Sequence, residues 1–210
     1  MMMHFYDIIT VFVPLMTFMI SVFFNRNKTP IDKVFSIMTG YIFLTELLEA
    51  IIGRFTQYEN YFIYNHYTLL FPLLNFRLFY ILTNSSQMKK RIKFLAFILV
   101  LVFIVSNLIG NDLFAEQQYY TYFVSLIFLI YLIFSHLLNI MESDTIQYFH
   151  RSKSFWISLG LLLFSVPFLP LIIAFKFMRI NFEIRMIVTS ILILAMHTCF
   201  ILASLRTKYK

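Results

Sequence analysis

Residues 62–82, FIYNHYTLLFPLLNFRLFYIL, decide how this chain is read. Roughly 20 residues rising ~1.5 Å each span a ~30 Å hydrocarbon core, so the stretch is long enough to cross a bilayer as a helix. It also carries Asn65, His66, Asn75 and Arg77, with Pro72 between them. His66 and Arg77 are eleven residues apart, close to three helical turns, which predicts that both lie on one face. A membrane helix with such a stripe is expected to turn it toward other helices or a water-filled cavity.

The rest of the chain repeats the apolar length without the polar load. Of 210 residues, 60% are hydrophobic and 13% charged, and the mean hydropathy is +0.81. Soluble domains carry about 25% charged residues, so composition predicts a membrane protein. Seven apolar windows appear, at 6–24, 34–53, 62–82, 94–110, 120–141, 155–178 and 185–205, separated by short polar loops. The expected fold is all-α, a seven-transmembrane-helix bundle forming a single domain over 1–210. Four glycines and unbroken Leu, Ile and Phe runs are wrong for a transmembrane barrel. The N-terminal run lacks a basic flank and a small-residue cleavage site, so it reads as a retained helix.

Orientation follows from the basic residues. Arg26, Lys28, Lys33, Lys89, Lys90, Arg91, Lys93, Arg151, Lys153, Arg206, Lys208 and Lys210 fall at one set of ends, whereas Arg54, Lys176, Arg179 and Arg185 fall at the other. The positive-inside rule places the N-terminus outside and the C-terminus in the cytoplasm of a multi-pass cell-membrane protein, of the bacterial inner-membrane type. The loop containing Lys89–Lys93 reads as a topology anchor able to attract anionic headgroups. Tyr58, Tyr61, Tyr64, Tyr119, Tyr120 and Tyr122 fit an interfacial aromatic belt, with a ligand-binding aromatic box as the sharper alternative. Lys33, Phe35 and Gly40 recur as Lys153, Phe155 and Gly160 at an offset of 120, which would pair helices one to three with five to seven.

The intramembrane polar residues carry the functional expectation. Glu46 and Glu49 are one turn apart on the second helix, and an ionised carboxylate there costs at least ~2.5 kcal/mol unless it is paired, protonated or wetted. They are expected to share a layer with Asn65 and His66. Asn75, Arg77, His136, Asn139 and His197 would continue the polar track toward the cytoplasm, with Thr39, Glu46 and Gly53, and Ser190, His197 and Ser204, as seven-residue inward stripes. Glu46, Glu49, Asn65, His66, Arg77, His136 and His197 are therefore the candidate ligand-binding residues. Cys199, the single cysteine, reads as a buried thiol.

Three functions fit such a track. The first is binding of a small molecule or ion by a sensor or small transporter, the sensor acting through a cytoplasmic or membrane partner. The second is an intramembrane hydrolase using zinc, although no HxxxH, HExxH or CxxC spacing supplies a donor set. The third is a structural or interaction subunit whose polar groups merely join helices. The partners expected are the lipid bilayer and a small ligand, with no nucleic acid and no resident cofactor. The helix count resembles that of retinal proteins, but no lysine stands in the middle of the seventh helix. Length and orientation resemble the seven-helix sugar and vitamin transporters, whose Pro-Gln signature is missing. Pro167 and Pro170 in FSVPFLPL predict a kink or break in the sixth helix.

The orientation is checked by labelling intact cells with a membrane-impermeant maleimide. A thiol introduced by Asp112→Cys is expected to label from outside, and one introduced by Lys208→Cys only after the membrane is breached. The reverse pattern would invert the topology.

Overall fold

The computed structural model describes residues 2–25, 29–55, 61–109, 117–142, 146–177 and 181–206. These form seven α-helices: α1 (Met2–Phe24), α2 (Pro30–Phe55), α3 (Tyr61–Leu82), α4 (Ser86–Leu108), α5 (Tyr119–Met141), α6 (Lys153–Phe177) and α7 (Phe182–Leu205), with a 3-10 segment, Ile146–Arg151, before α6. No strand occurs among the described residues. The expectations for Arg26, Lys28, Tyr58, Asp112, Arg179, Lys208 and Lys210 lie outside them.

Local chemistry sets the helix starts. Thr29 and Asp32 form a reciprocal capping box: the Thr29 backbone N–H (3.1 Å) and hydroxyl (2.7 Å) donate to Asp32 Oδ2, and the Asp32 N–H donates back to Thr29 Oγ1 (3.2 Å). Pro30 then occupies the first helical position, where its missing N–H is harmless. Ser85 caps α4 by accepting from the Met88 N–H (3.3 Å), so the helix begins eight residues before the apolar window and takes in its lysines. α6 runs unbroken from Lys153 to Phe177 through both Pro167 and Pro170, so no break occurs.

Five helices, α2, α4, α5, α6 and α7, are long and apolar enough to cross a membrane, making this a membrane-embedded helical protein. α3 is not among them, because its Asn, His, Arg and Pro content lowers its apolarity. Its neighbours compensate, since α3 lies against α2, α5 and α4 and buries Asn65, Thr68, Pro72 and Asn75. The helices are arranged as a ring, α1–α2–α3–α5–α6–α7, closed where α7 meets α1. α4 lies outside the ring against α3 and α5, and only 11% of its apolar window is buried.

Hydroxyl pairs fasten the closure. Ser21 of α1 meets Thr39 of α2 at 3.0 Å, and Thr17 of α1 meets His197 Nδ1 of α7 at 2.9 Å. Below them Phe35, Met38, Phe76, Ile157 and Phe200 are fully or almost fully buried in the core. Gly160 allows α6 to approach α7: a Cβ there would stand 2.9 Å from the Met196 carbonyl and from the Cys199 Cβ. Cys199 is buried against this contact as expected. Gly40 instead faces Phe18 of the preceding helix. The 120-residue offset therefore does not map equivalent contacts onto each other, and it gives no support to a repeat.

At the basic end Lys153 of α6 forms an ion pair with Asp32 of α2 and donates to Asn25 Oδ1 at 2.7 Å. Both charged side chains are almost wholly removed from solvent. Removing one partner strands the other, which typically costs about 3–5 kcal/mol. Lys153→Met is expected to lower the thermal midpoint of the detergent-purified protein sharply, and adding Asp32→Asn to restore most of the loss. A midpoint unchanged in the single variant would show that the pair is not structural.

Candidate functional site

The ring encloses a cavity of about 220 Å³ at the end of the bundle where α3, α5 and α7 begin. Every ring helix contributes to it and α4 does not. Pro14 comes from α1 and Ile42 and Glu46 from α2; Tyr61, Tyr64, Tyr67 and Thr68 come from α3; Tyr119 and Tyr122 come from α5. Phe164 and Phe168 of α6 and Arg185, Thr189, Ile193, Met196 and His197 of α7 complete the wall, with Gln117 at the rim. From Arg185 to His197 the lining descends about 18 Å along α7. The floor is apolar: Met38 and Phe35 follow Ile42 on the same face of α2, and Phe200 follows His197 on α7.

Helical spacing explains the lining. Tyr61, Tyr64 and Thr68 recur at three and four residues, as do Arg185, Thr189, Ile193 and Met196, so each set forms one face. Aromatic stacking fixes the α3 wall: Tyr67 lies parallel to Tyr41 at 6.0 Å and to Phe71 at 5.0 Å. On the opposite wall Phe168 stacks on Phe164 at 4.9 Å and meets Tyr122 at 5.6 Å. Tyr120, by contrast, is exposed, as a belt residue should be. Tyr61, Tyr64, Tyr119 and Tyr122 line the cavity together.

Besides the Arg185 guanidinium, two groups in this wall have chemistry to offer, Glu46 and His197. Glu46 is within electrostatic reach of Glu49, Tyr67 and Tyr122, and no hydrogen bond from a described residue reaches its carboxylate. His197 is fully buried in the wall. Thr17 Oγ1 stands 2.9 Å from both the Val13 carbonyl oxygen and His197 Nδ1, so its one hydroxyl hydrogen can serve either. His197 Nε2 is buried and meets no hydrogen-bonding group among the described residues. The cavity wall thus brings together a carboxyl group, an imidazole and the Arg185 guanidinium between tyrosine faces.

The predicted residues divide. Glu46 and His197 line the cavity, and Glu49 joins it through the hydroxyl of Tyr64, which donates to Glu49 Oε1. Asn65 is buried one step behind the wall, where its Oδ1 accepts from the Gln118 backbone N–H (2.9 Å). Gln118 donates in turn to Asn107 Oδ1 (2.5 Å) and accepts from Thr121 (3.2 Å), so Asn65 ties α3 to the start of α5 and to α4.

The remaining three are elsewhere. His66 is two residues from Tyr64, hence about 200° around the helix, and lies against Phe62 (4.2 Å) and Phe103 of α4 (6.4 Å). Arg77 is exposed on the outer face of α3, because the inward stripe runs through Asn65, Thr68, Pro72 and Asn75 instead. The expectation that His66 and Arg77 form an interior stripe is corrected accordingly. His136 borders a separate crevice of about 10 Å³ near the basic end, beside Phe79 and Asn139, with its Nε2 unpartnered. The seven-residue stripe Ser190, His197, Ser204 is buried throughout, whereas Gly53 leaves the stripe of Thr39 and Glu46 and is exposed.

Tyr67, Phe168 and Thr189 also line the cavity and carry no charge that would single them out, and Arg185, read from the sequence only for orientation, joins them. The three- and four-residue spacing on α3 and α7 is the signal that would have found them. Among the described residues no three His, Cys, Asp or Glu side chains converge as a metal site. No protein-family model, curated protein or solved structure matches this chain.

Proposed function

We propose that this protein binds a small amine or ammonium compound in the cavity between Glu46 and His197, acting as a membrane sensor or small transporter. The observation that carries the reading is the Glu46 carboxyl group, to which no described residue donates, set in one aromatic-walled cavity with His197, whose Nε2 meets no described partner. A ligand able to donate hydrogen bonds satisfies the carboxyl group. Tyrosine faces add favourable cation–π contact for a positively charged head. At about 220 Å³ the cavity is smaller than the ~300–1,000 Å³ typical of drug-sized ligands, which favours a metabolite-sized molecule.

With the basic end cytoplasmic, the cavity end faces outward, so the ligand enters from outside a cell membrane. The apolar floor and the Asp32–Lys153 pair seal the other end, which fits a receptor or the outward-facing state of a carrier. All six ring helices touch the cavity, so a ligand that draws them together has a direct route to the spacing of their cytoplasmic ends. Shifting that equilibrium requires different contacts in the two states, and a ligand bridging Glu46 on α2 and His197 on α7 provides them.

Thermal-shift titration of the purified protein against a panel of small amines, with size-matched carboxylates as controls, tests the reading. Amines are expected to raise the midpoint and carboxylates to leave it unchanged. Glu46→Gln is expected to weaken amine binding about 10- to 100-fold, as for loss of a hydrogen bond to a charged group. His197→Phe is expected to weaken it less. Equal stabilisation by carboxylates, or undiminished affinity in Glu46→Gln, would overturn the proposal. Amine-dependent flux into liposomes separates carrier from receptor.

A further inference from the structure

Arg77 takes no part in the cavity, and its surroundings assign it another role. It lies about one and a half turns before the end of α3, and its guanidinium carbon is 5.7 Å from the centre of the Tyr80 ring. The ammonium groups of Lys89 and Lys93, on the first two turns of α4, lie 5.4 and 5.6 Å from the same ring. Three cations therefore converge on one tyrosine. A single ring attracts a cation only weakly and does not offset the mutual repulsion of three. No described carboxylate forms an ion pair with any of them.

The surface beneath this cluster is apolar and uncovered. Leu70 stands seven residues before Arg77 on the same face of α3 and is 41% exposed. Phe97 and Ile104 continue the α4 face of Lys89 and Lys93, at 64% and 50% exposure. α4 lies outside the ring, and no described residue covers this strip. A charged cluster at the end of a membrane helix, standing above an apolar strip along the helix, matches a phosphate attached to acyl chains. The charge selects an anionic head, and the strip selects a lipid over a soluble anion.

We propose that the groove between α3 and α4 holds an anionic phospholipid, with its phosphate among Arg77, Lys89 and Lys93 beside Tyr80 and an acyl chain along Leu70, Phe97 and Ile104. The site is independent of the cavity reading: it shares no residue with the cavity, and α4 contributes none to the cavity lining. It also gives Arg77 a reason to stand on a lipid-facing surface, since the anion neutralises the charge at headgroup level.

Native mass spectrometry of the full chain, released from mixed micelles containing phosphatidylglycerol and phosphatidylcholine of matched chain length, tests the site. Phosphatidylglycerol is expected to be retained at least about fivefold over phosphatidylcholine. Arg77→Gln and Lys93→Gln are each expected to reduce that retention about fivefold. Lys90→Gln, which removes a neighbouring charge that does not reach Tyr80, is expected to leave it unchanged, and millimolar inorganic phosphate is expected not to displace the lipid. Equal retention of the two lipids, an equal loss in Lys90→Gln, or displacement by phosphate alone would each overturn the proposal. Should Arg77→Gln fail to fold, the exposed Lys93→Gln and the two-lipid comparison on the unaltered chain decide it.

Discussion

Within a hydrocarbon layer a polar side chain has no water to turn to, so each must meet another protein group, a ligand or the headgroup region. That constraint organises the whole bundle. Thr17, Ser21 and Thr39, all fully buried, use their hydroxyls to join α1 to α2 and α7, which closes the ring. Asn65 reaches across to the Gln118 backbone and anchors the start of α5. Lys153 and Asp32 neutralise each other where α2 and α6 begin. Interhelical hydrogen bonds of this kind contribute about 0.6–2 kcal/mol each, enough in sum to fix the order of helices whose surfaces are equally apolar.

The groups left over by this pairing are the informative ones. Glu46 and His197 line a shared cavity, and the three cations around Tyr80 face the outside of the ring. The two ends of the molecule are chemically distinct: the cavity end presents acceptors and tyrosine faces, whereas the basic end is sealed by large apolar side chains and an ion pair. α4 completes the division of labour. It adds little to the cavity ring, yet it presents most of its surface outward together with the lysines of its first turns.

The helices were legible in the sequence because length and apolarity determine them, and α5 begins and ends within one residue of its window. Glu46 and His197 were legible as interior groups because a carboxylate and an imidazole in apolar helices have few other places to go. What could not be read was azimuth. His66 and Arg77 share a face of α3, but whether that face looks inward depends on how α2, α5 and α4 surround the helix. The pairing of α3 with α5, which sends α4 outside, leaves no mark on α3 itself. The tyrosines stood open between belt and box for a related reason: interfacial rings and cavity-lining rings occupy the same depth, and only the turn of each helix separates Tyr64 from Tyr120.

Ligand binding rests on Glu46 and His197 sharing one cavity wall, with no described residue donating to the Glu46 carboxyl group. An experimental structure of the protein purified with its native lipids and metabolites tests this most directly. The account predicts a compact non-protein feature in the cavity, within hydrogen-bond distance of both groups. A collapsed cavity with the Glu46 carboxylate bonded to neighbouring tyrosines and His197 Nε2 bonded to a protein donor would contradict it.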